Sequence, residues 1–162
     1  MRFLLIRIDD RLLHGQVAYG CGGALQPRRY LIVDDRAASD SWESDAYRAS
    51  ACGAPVEVWS LARFAREWAE VPDAAGTIVL LRDLASLHRL WQQGVRPEGG
   101  VNLGGAHARP GTREHLAFVH LTVEEEQILV QLLDAGCELF AQDLPGSPCH
   151  GSDTLRGWVN RR

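Results

Sequence analysis

Residues 7–17 read RIDDRLLHGQV and follow the apolar run FLLI. Two aspartates, an arginine and a histidine lie within eight residues, with a glycine directly behind the histidine. That set of side chains suits the carriage of a phosphoryl group. An imidazole is the side chain most available as a neutral nucleophile near neutral pH, and on phosphorylation it gives a phosphoramidate labile enough to pass its group onward. The added negative charge must then be held. If a helix begins behind His14, the amides of Gly15, Gln16 and Val17 precede its first internal hydrogen bond and are free to face an anion. Arg11, three residues before His14, can offer a two-pronged fork to phosphoryl oxygens. One of Asp9 or Asp10 can accept the proton of the other ring nitrogen and so set the tautomer, while the second bonds loop backbone and holds the loop's shape.

Two further polar clusters follow strand-like runs. DDRAASD covers residues 34–40 and NLGGAHARPG covers 102–111. Apolar runs at 3–8, 29–33, 56–59, 77–81, 100–103, 118–121 and 138–142 predict strands. Several are continuously apolar, as in strands covered on both faces. Between most of them lie helical patterns. Asp83 caps a helix carrying Leu84, Leu87, Leu90 and Trp91 on one stripe, with Gly94 as its stop. Thr122 and Glu125 form a capping box ahead of Ile128, Leu129, Leu132 and Leu133, and Gly136 ends that helix. A third helix starts at Ser60, a weaker fourth covers SDSWESDAYRASA, and Leu155 and Trp158 mark a short final one. The alternation predicts one α/β domain over residues 1–162, an open and mostly parallel sheet with helices on both faces. Ligands of such sheets bind beyond the carboxyl ends of the strands. The three polar clusters fall at that edge, with the His14 loop behind strand one.

Composition narrows the function classes. The net charge is −4, from 17 basic and 21 acidic residues, and every basic residue is arginine. This leaves no basic footprint for nucleic acid. No apolar run approaches the roughly 20 residues of a membrane span, and the chain's start turns acidic too soon for a secretory signal. A cytoplasmic protein is expected. Its four cysteines, Cys21, Cys52, Cys137 and Cys149, are widely spaced and expected to be reduced.

The string RIDDRLLHGQV resembles the phosphorylation-site loop of the IIB subunits of the mannose/sorbose-type sugar phosphotransferase system (PTS), differing from the usual pattern in Leu13 for isoleucine. VDDRAASD and VNLGGAHARPG are similar to that family's second and third loops, and LTVEEEQILVQLLDAGCELFAQDLP to its last helix and strand, so the resemblance covers residues 1–146. It implies a phosphohistidine carrier with no metal and no standing cofactor. His14 would accept the group from a phosphorylated IIA subunit and pass it to a sugar entering through the membrane IIC and IID subunits, with the chain held at the inner face of the membrane through that permease. By position, Arg11 and Asp10 belong to the acceptor loop. Asp35, Asn102, Gly104, Gly105 and His107 are expected to line it, the glycines by admitting backbone close to the phosphoryl group.

Two departures stand out. YGCGGALQP replaces a more usual helix after the loop, and its glycines predict a short or frayed one. The triplet Asp34-Asp35-Arg36 replaces an Asn/Ser-Asp-Glu run, with Arg36 read as a surface charge. These departures motivate an alternative, a regulatory phosphoacceptor that signals by binding a partner. A third reading is a metal hydrolase with Asp9, Asp10, Asp34, Asp35 and His14 around a divalent ion, opposed by Arg11 and Arg36 beside it.

Overall fold

The computed structural model describes residues 1–51 and 53–159. Six strands form one sheet: β1 (Leu5–Asp9), β2 (Arg29–Val33), β3 (Val56–Trp59), β4 (Thr77–Leu81), β5 (Val101–Gly105) and β8 (Leu139–Ala141). Their spatial order is β3-β2-β4-β1-β5-β8, and every pairing is parallel. The charged loop therefore leaves the sheet from an interior strand, β1, flanked by β4 and β5.

Alternation along β1 assigns its residues to two faces. Ile6 and Ile8 join a core built with α4 (Leu61–Glu67), α5 (Leu84–Gln92), α6 (Val123–Asp134) and α7 (Ser152–Val159). On the opposite face Tyr30, Ile32, Ile78 and Leu80 pack against Leu12, Leu13, Val17, Ala18 and Cys21. The helical side chains there come from the segment after the loop, with Ala37 of α2 (Asp35–Ser39) and Tyr47 of α3 (Ser41–Ser50) beside them.

The expected cap residues act as such. Asp83 accepts from the Ser86 amide at 2.7 Å, and Ser60 from Arg63 at 3.2 Å. Thr122 and Glu125 close a reciprocal capping box. Cys21, Cys137 and Cys149 are free thiols, while Cys52 lies outside the described residues.

Two features differ from expectation and one agrees with it in detail. The run at 118–121 does not enter the main sheet. Its residues Val119–Leu121 (β7) pair antiparallel with Arg113–Leu116 (β6), a strand that its composition hides, since REHL has no apolar run. This hairpin is tied to the end of β5 by the His120 amide on the Ala106 carbonyl, 2.7 Å. Residues 34–40 form the small-residue helix start that this loop resembles, with Asp34 accepting from the Ala37 amide at 2.8 Å to begin α2. The segment behind the loop is a π-helical turn, Gln16–Cys21, continuing into a short helix, α1 (Gly22–Leu25). Two of its glycines are packing residues. A Cβ on Gly22 would lie 2.3 Å from the Tyr30 hydroxyl, and one on Gly20 2.5 Å from Leu144 Cδ2. The shortness is as expected; close packing accounts for glycine at these two positions.

Thr122→Ala removes one arm of the capping box and is expected to lower the unfolding free energy by about 1 kcal/mol, with Thr122→Ser nearly neutral. Urea denaturation of the two variants checks this.

Candidate active site

The centre of the site is a pair of charges with almost no access to water. Arg7 and Asp9 lie on the same face of β1 and are 2 % and 0 % exposed. Arg7 Nη2 donates to Asp9 Oδ2 at 3.0 Å and Nε to the same oxygen at 3.3 Å. The guanidinium is otherwise surrounded by oxygens, namely Asn102 Oδ1 at 3.0 Å, the Gly104 carbonyl at 2.9 Å and the Asp143 carbonyl at 2.6 Å. Such saturation is what a buried charge requires.

Asp9 in turn holds His14. The His14 Nε2 nitrogen lies 3.1 Å from Asp9 Oδ2, and the imidazole is 17 % exposed. Burial pushes the Asp9 carboxyl upward in pKa, but the hydrogen bond from His14, the Arg7 charge and the Arg11 amide together outweigh it, so the group titrates below the usual aspartate value. An ionised carboxylate only accepts, so the shared proton belongs to His14 Nε2. That leaves Nδ1 with its lone pair.

The backbone between them is bent to make this possible. The Leu12 amide donates to the Asp9 carbonyl at 2.9 Å, and Leu12 has φ of 54°, a left-handed conformation that side chains disfavour. Leu12 and Leu13 are both buried, which anchors the bend in the core and turns His14 back over Asp9. Arg11 points outward. Its amide bonds Asp9 Oδ1 at 3.1 Å, while its guanidinium bonds Gln16 Oε1 at 2.8 Å and is 45 % exposed. Helical bonding begins with the Ala18 amide on the His14 carbonyl, 2.9 Å, so the amides of Gly15, Gln16 and Val17 lie ahead of it.

Asp10 has a different partner. It accepts from the backbone amide of His107 at 2.8 Å and meets His107 Nδ1 at 2.6 Å, while its own amide bonds the Gly105 carbonyl at 3.0 Å. Two adjacent aspartates thus serve two histidines. Asp9, Asp10 and His107 offer ligand atoms within 4.8 Å of one another. Asp9, however, already carries Arg7, and a cation there would sit against a buried guanidinium. The five-residue metal set of Asp9, Asp10, Asp34, Asp35 and His14 does not converge, because Asp34 is bound bidentately by Arg82 at 2.8 and 2.9 Å.

Two expectations need correction. Asp35 does not line the loop. It holds the Leu61 amide at 2.8 Å and Arg89 at 3.2 Å, and so ties α2 to α4 and α5. Gly104 and Gly105 are not open cradle positions. A Cβ on Gly104 would lie 2.0 Å from Arg7 Cζ, and one on Gly105 2.8 Å from Asp9 Cγ. The missing side chains make room for the buried pair. The register against β1 shifts here as well, from Ile8 opposite Leu103 to Asp9 opposite Gly105, a bulge of the kind that re-aims side chains beside active sites. Asn102 sits under the loop through Arg7 and donates to the Gln142 carbonyl at 3.0 Å. Arg36 pairs with Glu43 at 3.2 Å on the surface.

Arg7 was not among the sequence-derived candidates. Its signal was legible: a guanidinium inside an apolar strand, two residues before an aspartate, puts both charges on one buried face.

Two measurements follow. Gly104→Ala drives a methyl into the guanidinium and should cost about 3–5 kcal/mol, as when a buried pair loses a partner. Gly15→Ala, with nothing within 4 Å of the new methyl, should stay within about 0.5 kcal/mol. For Asp9, a folded pKa below the unfolded value of about 3.9 means that its titration-linked stability is complete above that pH. The unfolding free-energy difference between wild type and Asp9→Asn should hold level from neutrality to about pH 5. It should then shrink as pH falls through about 4 toward the lower native value.

The chain matches the family described as "PTS system sorbose subfamily IIB component" over residues 3–155. It is 27 % identical over 146 residues to the N-acetylgalactosamine-specific phosphotransferase enzyme IIB component 2 of Escherichia coli, covering 90 % of this chain and 92 % of that one. It is also 27 % identical over 146 residues to the mannose-specific EIIAB component of E. coli, covering 89 % of this chain but 45 % of that longer protein. Its fold superimposes on the crystal structure of the IIBSor domain of the sorbose permease from Klebsiella pneumoniae with a TM-score of 0.84 and 26 % identity, over 97 % of this chain and 98 % of that one. Sequence and architecture agree that the chain belongs to the sorbose-type IIB components of the sugar phosphotransferase system, which act in phosphoryl transfer during sugar uptake.

Proposed function

We propose that His14 carries the phosphoryl group on Nδ1, taking it from a phosphohistidine of a IIA subunit and giving it to a sugar delivered by IIC and IID membrane subunits. The observation that carries this reading is the 3.1 Å contact between His14 Nε2 and the buried Asp9. It occupies one ring nitrogen and, among the described residues, leaves the other without a hydrogen-bond partner. In the forward step, Nδ1 attacks phosphorus, the donor's P–N bond breaks, and the Nε2 proton stays on the Asp9 side throughout. In the second step a sugar hydroxyl attacks phosphorus, the P–Nδ1 bond breaks, the hydroxyl proton is lost to solvent, and His14 leaves with its lone pair restored. Arg11 and the amides of Gly15 to Val17 are the donors for the equatorial oxygens. Transfer of this kind depends on positioning and charge neutralisation rather than on new covalent chemistry.

A phosphoryl donor on a IIA partner is supported by the fused EIIAB relative, in which the two functions share a chain. Among the described residues no helix is long and apolar enough to cross a membrane, which suits a subunit that reaches the permease from the cytoplasmic side. The regulatory alternative rested on a frayed helix and the Asp34-Asp35-Arg36 triplet. Gly20 and Gly22 have a packing reason, and the triplet caps α2 and ties it to its neighbours, so neither feature favours that reading.

Incubation with a phosphorylated IIA protein should label the wild-type chain with Nδ1-phosphohistidine, seen by heteronuclear NMR, and His14→Ala should abolish the label. Labelling of His14→Ala, or phosphate on Nε2, overturns the assignment. Arg11→Ala should slow transfer by roughly 100-fold, the scale for one lost charge-stabilising donor.

A further inference from the structure

Phosphoryl carriage asks for a cation beside His14, yet the exposed guanidinium of the loop is already held by another residue. Arg11 Nη2 donates to Gln16 Oε1 at 2.8 Å, and among the described residues this is the guanidinium's only hydrogen bond. Its Nε lies 3.8 Å from Asp9 Oδ1, while His14 Nε2 meets the other oxygen, Oδ2, at 3.1 Å. The arginine arm therefore crosses the carboxylate that orients the imidazole and ends on the residue two positions beyond it. Gln16 is the first residue of the π-helical turn and is exposed, so no core packing fixes its identity. Arg7 cannot take the place of Arg11, because Asp9, Asn102 and the carbonyls of Gly104 and Asp143 already use its donors.

We propose that Gln16 is a positioning residue, which holds Arg11 beside the empty loop and gives it up when His14 carries a phosphoryl group. The neutral amide suits both halves of that exchange. A phosphoryl oxygen is a charged acceptor and an amide oxygen is not, and charge-assisted hydrogen bonds are roughly twice as strong as neutral ones. Arg11 thus leaves Gln16 for the loaded histidine and returns once the group is passed on. A carboxylate at position 16 would compete with the phosphoryl group for the same fork. A side chain without an acceptor would leave Arg11 to sample many rotamers between turnovers, and each transfer would have to order it again. The movement is local. Residues 11 and 16 flank a bend that Leu12 and Leu13 anchor in the core, so the arm moves while the loop stays. This role of Gln16 rests on the carrier reading and adds to it how the unloaded loop keeps its cation in place.

Heteronuclear NMR spectra of the arginine side chains, recorded before and after incubation with a phosphorylated IIA protein, follow the exchange. In the empty wild type the Arg11 guanidinium should give restrained, resolved Nη signals, and in empty Gln16→Ala they should average. Phosphorylation should shift the Arg11 signals of both proteins to a common position. Gln16→Glu should slow acceptance of the phosphoryl group about tenfold, with an unchanged circular dichroism spectrum. On an Arg11→Ala background the same substitution should change the rate by no more than about twofold, since no guanidinium remains to be retained. An equal or larger loss there means that the new carboxylate repels the donor directly, and overturns the proposal. So does a labelled His14 with the Arg11 signals unmoved, or an empty Gln16→Ala whose Arg11 signals match those of the wild type. Failure of His14 to take the label at all overturns the carrier reading along with it.

Discussion

A buried carboxylate cannot remain charged beside a sheet unless something opposes it, and in this protein that something is Arg7. The pair lies at the end of an interior strand with essentially no solvent contact. Ion pairs in such places contribute little net stability, because the desolvation of two charges offsets most of their attraction. What the pair gives is direction. Arg7 is held by Asn102 and by the carbonyls of Gly104 and Asp143, so the carboxylate it binds has one orientation. That carboxylate in turn selects the tautomer of His14. The orientation of the imidazole is thus set by a charge placed one layer below it.

Much of the surrounding architecture follows from making room for that pair. Two consecutive glycines in β5 leave space where any side chain would meet the guanidinium or the carboxylate. The register shift between β1 and β5 falls at the same point. Leu12 adopts a left-handed conformation that costs on the order of 1–3 kcal/mol, offset by burying Leu12 and Leu13 in the core of that face. The π-helical turn and α1 behind the loop use glycines to approach Leu144 and Tyr30 closely. These irregularities cluster around one histidine, where departures from local rules are expected to carry function.

The doubling of histidine and aspartate divides labour between two loops. Asp9 holds His14. Asp10 belongs to His107 and clamps the β5 exit against the β1 exit through both the ring and the backbone. The hairpin β6–β7, fastened to Ala106, braces that second loop from outside.

Local chemistry was legible in the sequence. Strands β2, β3 and β4 fall on the apolar runs that announce them, and Ser60, Asp83 and the Thr122–Glu125 box act as caps, because a cap needs only residues three positions apart. The loop string alone pointed to the family and to His14. Tertiary structure decided which aspartate serves which histidine, why β5 carries a glycine pair, and where Asp35 is spent. The contacts that settle these questions join residues 95 and 97 positions apart, Arg7 to Asn102 and Asp10 to His107. Spacing along a chain constrains neighbours within a turn or a strand. Only the packing of strands against each other brings distant side chains into one low-dielectric volume, where an unmatched charge is costly and each polar atom must find its partner.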